Sequence, residues 1–249
     1  MSSPVYSSDY YRQILGDSEM SAIRVVPLVV ELFSPGSVVD VGCGPGAWAK
    51  AYRDAGVRKV LGIDGEHVEL KQLLIPPKNF QRQNLAERLT APDRFDLVNC
   101  LEVAEHLPEA RAETFVADLC RLSDVVIFSA AIPGQGGTHH LNERWPSYWI
   151  EFFRKNGFEP LDCFRPRLWN EPDVAWWYVQ NMFAFVAKPR LANFPKATAA
   201  ARPDWPTDVV HPRAYVRATV PKEMSPRMIK EVFRALPHFP KKILKHWRG

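Results

Sequence analysis

The stretch Val38-Val39-Asp40-Val41-Gly42-Cys43-Gly44-Pro45-Gly46-Ala47 decides the fold. An apolar run leads into three glycines at alternate positions, and a helix-like segment, AWAKAYRDAG, follows. This is a buried strand that ends in a GxGxG turn, where backbone approaches a ligand closely at the carboxyl end of a sheet. The same letters also satisfy GxGxxA, a pattern that suits dinucleotides. Asp40 separates the two readings. Two residues before the first glycine, its carboxylate would repel a pyrophosphate seated on the helix N-terminus, and it suits a cation such as an amino-acid ammonium.

Working outward, strand-like and helix-like segments alternate from about residue 20 to 187. SAIRVVPLVVELF predicts a helix before the glycine strand, and KVLGID a second strand after AWAKAYRDAG. A short third strand is expected near FQRQNL and a fourth at FDLVNCLE, then a helix over EARAETFVADLCRL and a fifth strand at DVVIFSAA. PSYWIEFFRKNG predicts another helix, followed by strands near FEPLDCF and WWYVQNMFAFVA. Short apolar runs separated by helical patterns imply an α/β protein with a Rossmann-like, seven-stranded, mostly parallel sheet and helices on both faces. No long helix is expected between the last two strands, so they should form a hairpin with the final strand antiparallel.

Two more positions complete a ligand. Asp64 ends the second strand, 24 residues after Asp40, where a carboxylate can accept from two ribose hydroxyls. Asn84-Leu85 ends the third, where a side-chain amide and a backbone N–H can read an adenine edge. S-adenosylmethionine carries an ammonium, a ribose and an adenine in that order.

These residues resemble the seven-stranded S-adenosylmethionine-dependent methyltransferases. VVDVGCGPGAWA is similar to their first motif, LGIDG to their acidic second motif, and RFDLVNCLEVAEHLP to their fourth strand and following loop. The resemblance covers roughly residues 20–187 and speaks to the cofactor rather than the acceptor. It implies that Asp40, Gly42, Cys43, Gly44 and Gly46 line the methionine end, that Asp64 and Gly65 hold the ribose, and that Asn84 and Leu85 hold the adenine, with Leu101 also lining the cofactor. Asn84 stands where many relatives have Asp. The stretch SAAIPGQGGTHHLNERWPSYW, with WWYVQN later, is similar to a bacterial small-molecule and glycan-type subgroup.

Methyl transfer from a sulfonium is an in-line displacement, and a hydroxyl acceptor needs a base or a metal to take its proton. Two groups lie beside the fourth and fifth strands. The loop IPGQGGTHHLNERW carries His139, His140 and Glu143, a candidate general base with an orienting carboxylate, on glycines that suit a mobile loop. Glu102-Val103-Ala104-Glu105-His106 follows the fourth strand. An ExxEH with a later histidine is also similar to magnesium-dependent RNA 2′-O-methyltransferases. That similarity implies a metal set of Glu102, Glu105, His106 and one of His139/His140, here His140, suited to magnesium, manganese or zinc.

Aromatic residues cluster nearby. Trp145, Tyr148 and Trp149 follow the histidine loop, Trp169, Trp176 and Trp177 flank the last strands, and Tyr6, Tyr10 and Tyr11 precede the first helix as candidate caps on the cofactor. Trp149 and one of Trp176/Trp177 are expected in the core, the others at a ring-shaped acceptor.

The chain has 249 residues, 46% of them apolar and 24% charged, enough for a full core and unlike a disordered chain. No signal peptide and no membrane span is visible, and the four cysteines contain no CxxC pair. The chain therefore reads as a soluble cytoplasmic protein. The net charge of +4 is uneven. From residue 225 onward there are seven basic residues against one acid, and residues 1–224 hold 25 basic and 27 acidic ones. A near-neutral body argues against a broad nucleic-acid surface, while the basic tail suits peripheral contact with anionic membrane lipid. Residues 189–240 hold nine of the 22 prolines and no lasting pattern until MIKEVFRAL. The division expected is a catalytic domain over 1–188 and a Pro-rich extension over 189–249 that packs on the body or hangs free, ending in a basic helix.

The sequence thus points to O-methylation of a small molecule or a sugar, glycan or glycolipid precursor. The rivals are a metal-dependent RNA 2′-O-methyltransferase, a non-catalytic S-adenosylmethionine-binding protein and, more distantly, a nicotinamide oxidoreductase.

Overall fold

Alternation between two apolar faces builds the sheet. In the computed structural model, which describes residues 8–91 and 93–219, Val125 and Ile127 join one hydrophobic cluster while Val126 and Phe128 join the other. Ala184 and Val186 divide from Phe183 and Phe185 in the same way. With a side-chain period of two, such strands can only lie between two apolar layers.

Helix α1 (Ser8–Phe33) begins well before the expected start at Ser21. It tolerates Pro27 because that residue lies on the exposed face, where water can reach the carbonyl left unpaired. Strand β1 (Ser37–Val41) leads through the glycine turn to α2 (Ala47–Asp54), then β2 (Lys59–Asp64), β3 (Phe80–Arg82) and β4 (Leu97–Leu101). Only short 3₁₀ turns lie between β2 and β3. α3 (Ala112–Leu122), β5 (Val125–Ser129), α4 (Pro146–Lys155), β6 (Phe158–Leu161), α5 (Arg165–Leu168), α6 (Trp176–Asn181) and β7 (Phe183–Ala187) follow. The sheet order is β3-β2-β1-β4-β5-β7-β6. β7 runs antiparallel to both neighbours and every other pairing is parallel, so the seven-stranded Rossmann-like expectation holds.

The WWYVQN stretch corrects the last strand. It forms α6 rather than the start of β7, which begins only at Phe183. β6 and β7 do pair antiparallel, but α5 and α6 intervene, so the connection is not a tight hairpin. Helix geometry turns Tyr178, Gln180 and Asn181 inward, where alternation would have turned half of them out.

Beyond β7 the chain continues through a 3₁₀ segment and α7 (Pro195–Ala200) to α8 (Pro212–Thr219). Ala197 is fully buried in the same cluster as α1, and Phe194 packs on Phe33 with ring centroids 5.4 Å apart. The chain divides into two units, residues 1–214 and 215–249. Beyond residue 188 the chain thus packs on the body, where Ala197 and Phe194 join its core. The basic tail and its expected helix, like Tyr6, lie outside the described residues. Among the described residues no helix is long and apolar enough to cross a membrane, and the four cysteines are free.

Candidate active site

Parallel strands β1, β2, β4 and β5 bring the chemistry-bearing loops to one edge of the sheet, the carboxyl end. The glycine turn after β1 is shaped by contacts that exclude side chains. Gly42 sits at φ 76°, and a Cβ there would run into Val103 of the loop after β4. Gly44, at φ 54°, faces open space, and Gly46, at φ 97°, faces Ile75. Cys43 is buried and its Sγ reaches the Gly44 carbonyl at 3.4 Å.

Asp64 reaches the same turn from β2. One carboxylate oxygen accepts from Gly44 N and the other from Gly65 N, both at 2.6 Å. Each oxygen keeps a further lone pair, which suits a pair of hydroxyls. Asp40 lies deeper, 2% exposed. Its oxygens accept from Ala49 N at the start of α2 (3.1 Å) and from Asn99 Nδ2 on β4 (2.8 Å), while Tyr52 donates to Asn99 (3.2 Å). Burial pushes the Asp40 carboxyl up to about 7 against these hydrogen bonds. Asp40 thus ties β1, β4 and α2 together behind the glycine turn. Leu85, Leu101 and Val103 are buried side chains at the same edge, and the Leu85 carbonyl accepts from Arg111. The exposed Asn84 amide is engaged in its own turn, accepting from Ala86 N and donating to Glu87, both at 3.1 Å.

The loop after β5 assembles a second group of polar side chains. Glu143 accepts from Gly134 N (2.7 Å) and Gly136 N (2.9 Å), so two glycine amides fix its carboxylate. Against it lies His140, with Nδ1 2.8 Å from the Glu143 oxygen. A carboxylate can only accept, so Nδ1 donates in this contact and, in the neutral ring, Nε2 carries the lone pair. Gly137 makes room for that ring, since a Cβ there would collide with the imidazole. The neighbouring His139 is exposed in the left-handed region (φ 59°), and its carbonyl accepts from His106 Nδ1 at 3.3 Å. The structure pairs Glu143 with His140 and leaves the His139 side chain out.

His106 and His140 meet edge to face at 4.8 Å. Desolvation and the proximity of His140 push His106 down to about 4, so it is neutral near pH 7. Glu105 joins them. One ligand atom from each of Glu105, His106 and His140 lies within 4.8 Å of the others. Glu105 is 0% exposed and neither carboxylate oxygen has a hydrogen-bond partner. Burial, with Glu102 close by, drives it well above the usual carboxylate range, and the nearby amides of Glu105 and Ala131 offset this only in part. Glu102 departs from the expected metal set. Its oxygens are taken by Gln135 Nε2 (2.7 Å) and Asn181 Nδ2 (3.2 Å).

Sequence reading missed Gln135, Tyr178, Gln180 and Asn181. The available signal was WWYVQN itself, whose two amides sit oddly in a strand bound for the core. Of the aromatic residues, Trp149 is core in one hydrophobic cluster and Trp177 packs against the other, while Trp145 is at the surface. Tyr10 and Tyr11 fall within α1.

Residues 18–126 match the family described as a methyltransferase domain. The chain is 20% identical to magnesium protoporphyrin IX methyltransferase from Synechocystis PCC 6803, over 75% of this chain and 90% of that one, with a TM-score of 0.53. It is 14% identical to CalS10, an amino pentose methyltransferase from Micromonospora echinaspora, over 76% of this chain and all of the other, with a TM-score of 0.55. At these identities the likeness shows the fold. A ubiquinone biosynthesis O-methyltransferase of Pseudomonas fluorescens (strain SBW25) is 42% identical over 79 residues, 29% of this chain and 34% of that protein. The match therefore spans about a third of that relative's length. Residues 18–126 are thus similar to a methyltransferase domain, and the fold is the one that these methyltransferases share.

Proposed function

We propose that the protein transfers the methyl group of S-adenosylmethionine to a hydroxyl of a small molecule or a sugar or glycan precursor. The His140–Glu143 pair carries this reading: an imidazole with its Nδ1 proton held by a fixed carboxylate presents Nε2 as a base at the edge where the glycine turn ends. The glycine turn fits the cofactor, with Gly44 open, Val103 closing one side and Asp64 offering spare lone pairs to the ribose hydroxyls. Gly65, Leu85 and Leu101 line the nucleoside, and Asp40 acts from behind the turn. When bound, S-adenosylmethionine supplies the electrophilic methyl group. His140 takes the hydroxyl proton as the new bond forms, and Glu143 steadies the imidazolium. The names of the ubiquinone and amino pentose methyltransferases support a small-molecule acceptor. Action in the cytoplasm, with the basic tail against anionic lipid, completes the proposal.

One observation favours a second reading. The unpartnered oxygens of Glu105, beside His106 and His140, fit a divalent cation such as magnesium, manganese or zinc. That ion would lower the proton affinity of a bound hydroxyl, and it would occupy the lone pair that His140 uses as a base. The two readings exclude each other at His140.

The experiment is methyl transfer from labelled S-adenosylmethionine into a cell extract separated into RNA and glycan/lipid fractions, with EDTA in parallel. Label in the glycan/lipid fraction that resists EDTA supports the base reading, and His140→Ala should lower it by about 10²–10⁴-fold. Label lost with EDTA supports the cation, and label in RNA overturns the acceptor. Binding of S-adenosylmethionine with no transfer to any fraction would mark a non-catalytic protein.

A further inference from the structure

A continuous polar chain runs from the candidate site to the segment beyond β7. Glu102 begins it in the left-handed region at φ 55°, with its N–H donating to Ser129. Gln135 Nε2 donates to one Glu102 oxygen and Asn181 Nδ2 to the other. Asn181 Nδ2 also donates to Gln135 Oε1 at 2.9 Å, and Asn181 Oδ1 accepts from Gln180 Nε2 at 2.9 Å. Gln180 Oε1 in turn accepts from His211 N at 2.8 Å. His211 is neutral in this setting, because Nε2 donates to the Trp169 carbonyl and Nδ1 accepts from Arg213 N.

The segment that ends at His211 is tied down along its length. Arg202 N donates to the Asp162 carbonyl. The fully buried Arg165 holds Asp162 and donates to the carbonyls of Pro206 and Thr207. Asp208 accepts from Ser147 N (3.0 Å) and Oγ (2.6 Å) at the first turn of α4, the helix that follows the histidine loop. Residues 202–211 therefore form a strap that reaches the site by two routes, through α6 and through α4.

Apolar side chains would fill this interior without the cost of burying four polar groups. What the amides add is direction: they fix the Glu102 carboxyl and, through Gln135, the glycine loop that carries His140. We infer that Asn181, steadied by Gln180 and the 202–211 strap, is a positioning residue that sets the Glu102 carboxyl and the conformation of the 133–143 loop. The inference rests on the reading of this loop as the acceptor side.

The test uses the full chain and needs no acceptor. Hydrogen exchange is followed at Gly134 and Gly136, whose amides hold Glu143, and the His140 ring resonances are followed by NMR at one pH. Asn181→Ala should speed exchange across 133–143 about tenfold relative to the β1 and β5 amides. It should also shift the His140 ring resonances, because Gln135 loses its anchor and the loop moves. Asn181→Asp, of equal size but without the donor to Glu102 and Gln135, should do the same. Asp208→Ala, an exposed change that spares the core, should loosen Ser147, Tyr148 and the loop. A folded Asn181→Ala with unchanged loop exchange and unchanged His140 ring resonances would overturn the inference, as would an Asp208→Ala without local effect. Binding of S-adenosylmethionine to the wild type is measured alongside. If it fails, the methyl-transfer reading falls while the exchange result still decides the role of Asn181.

Discussion

Asp40 shows how one carboxyl can couple cofactor binding to pH. In the folded chain burial raises it from 3.8 to about 7, so between those values the fold holds a proton that the unfolded chain has released. Stability from this group is therefore full at low pH and is lost as pH rises through about 7. A cation bound at the glycine turn favours the ionised form, so binding should expel the proton. The affinity for S-adenosylmethionine should rise from about pH 5 to about pH 8 and level off above, by at most about tenfold per pH unit. Asp40→Asn should flatten the profile, and calorimetry in buffers of different ionisation enthalpy would count the proton. Flat wild-type affinity would remove Asp40 from the cofactor's electrostatics. The place of Asp40 just before the glycine turn was legible in the sequence. Its partners were not: Asn99, 59 residues away, meets it through the β1–β4 register, and Ala49 through the docking of α2 behind the glycine turn.

At the scale of elements, the histidine loop depends on glycines for space as much as for turning. Gly137→Ala should push the His140 ring off its contact with Glu143 and cut turnover by about tenfold or more, with S-adenosylmethionine affinity unchanged. Equal losses in both would place the defect in the fold. α5 and α6 depend on a single cation. Arg165 is wholly buried, stacks on Phe183 at 4.1 Å and bridges Asp162 to the strap. Arg165→Met leaves Asp162 buried and unpaired, and should cost about 3–5 kcal/mol in denaturant unfolding. A cost below about 1 kcal/mol would show that water reaches Asp162. Sequence periodicity located β1 to β5 and the helices among them well. It failed at WWYVQN because aromatic and β-branched residues favour strands, while α6 is held by tertiary burial of Tyr178, Gln180 and Asn181.

For the whole molecule, the extent of the folded unit decides which truncations survive. A chain ending at residue 219 keeps Ala197, Phe194 and the strap, and should bind S-adenosylmethionine as the full chain does. A chain ending at residue 188 loses the Phe33–Phe194 contact and the carbonyls that satisfy Arg165. Its melting temperature should fall by about 10 °C or more, if it folds cooperatively at all. Comparable melting of the two would mean that residues 189–214 are dispensable to the core.

The sequence by itself determined the class of fold and the glycine turn with Asp40 and Asp64, because a strand, a tight turn and a helix are local patterns with local causes. It also placed histidines and carboxylates after β4 and β5. Only the tertiary structure chose His140 over His139 as the partner of Glu143, separated Glu102 from Glu105 and His106, and carried residues 189–214 onto the body. Those outcomes depend on which side chains share a desolvated space, and such neighbours are set by packing between elements far apart in the chain.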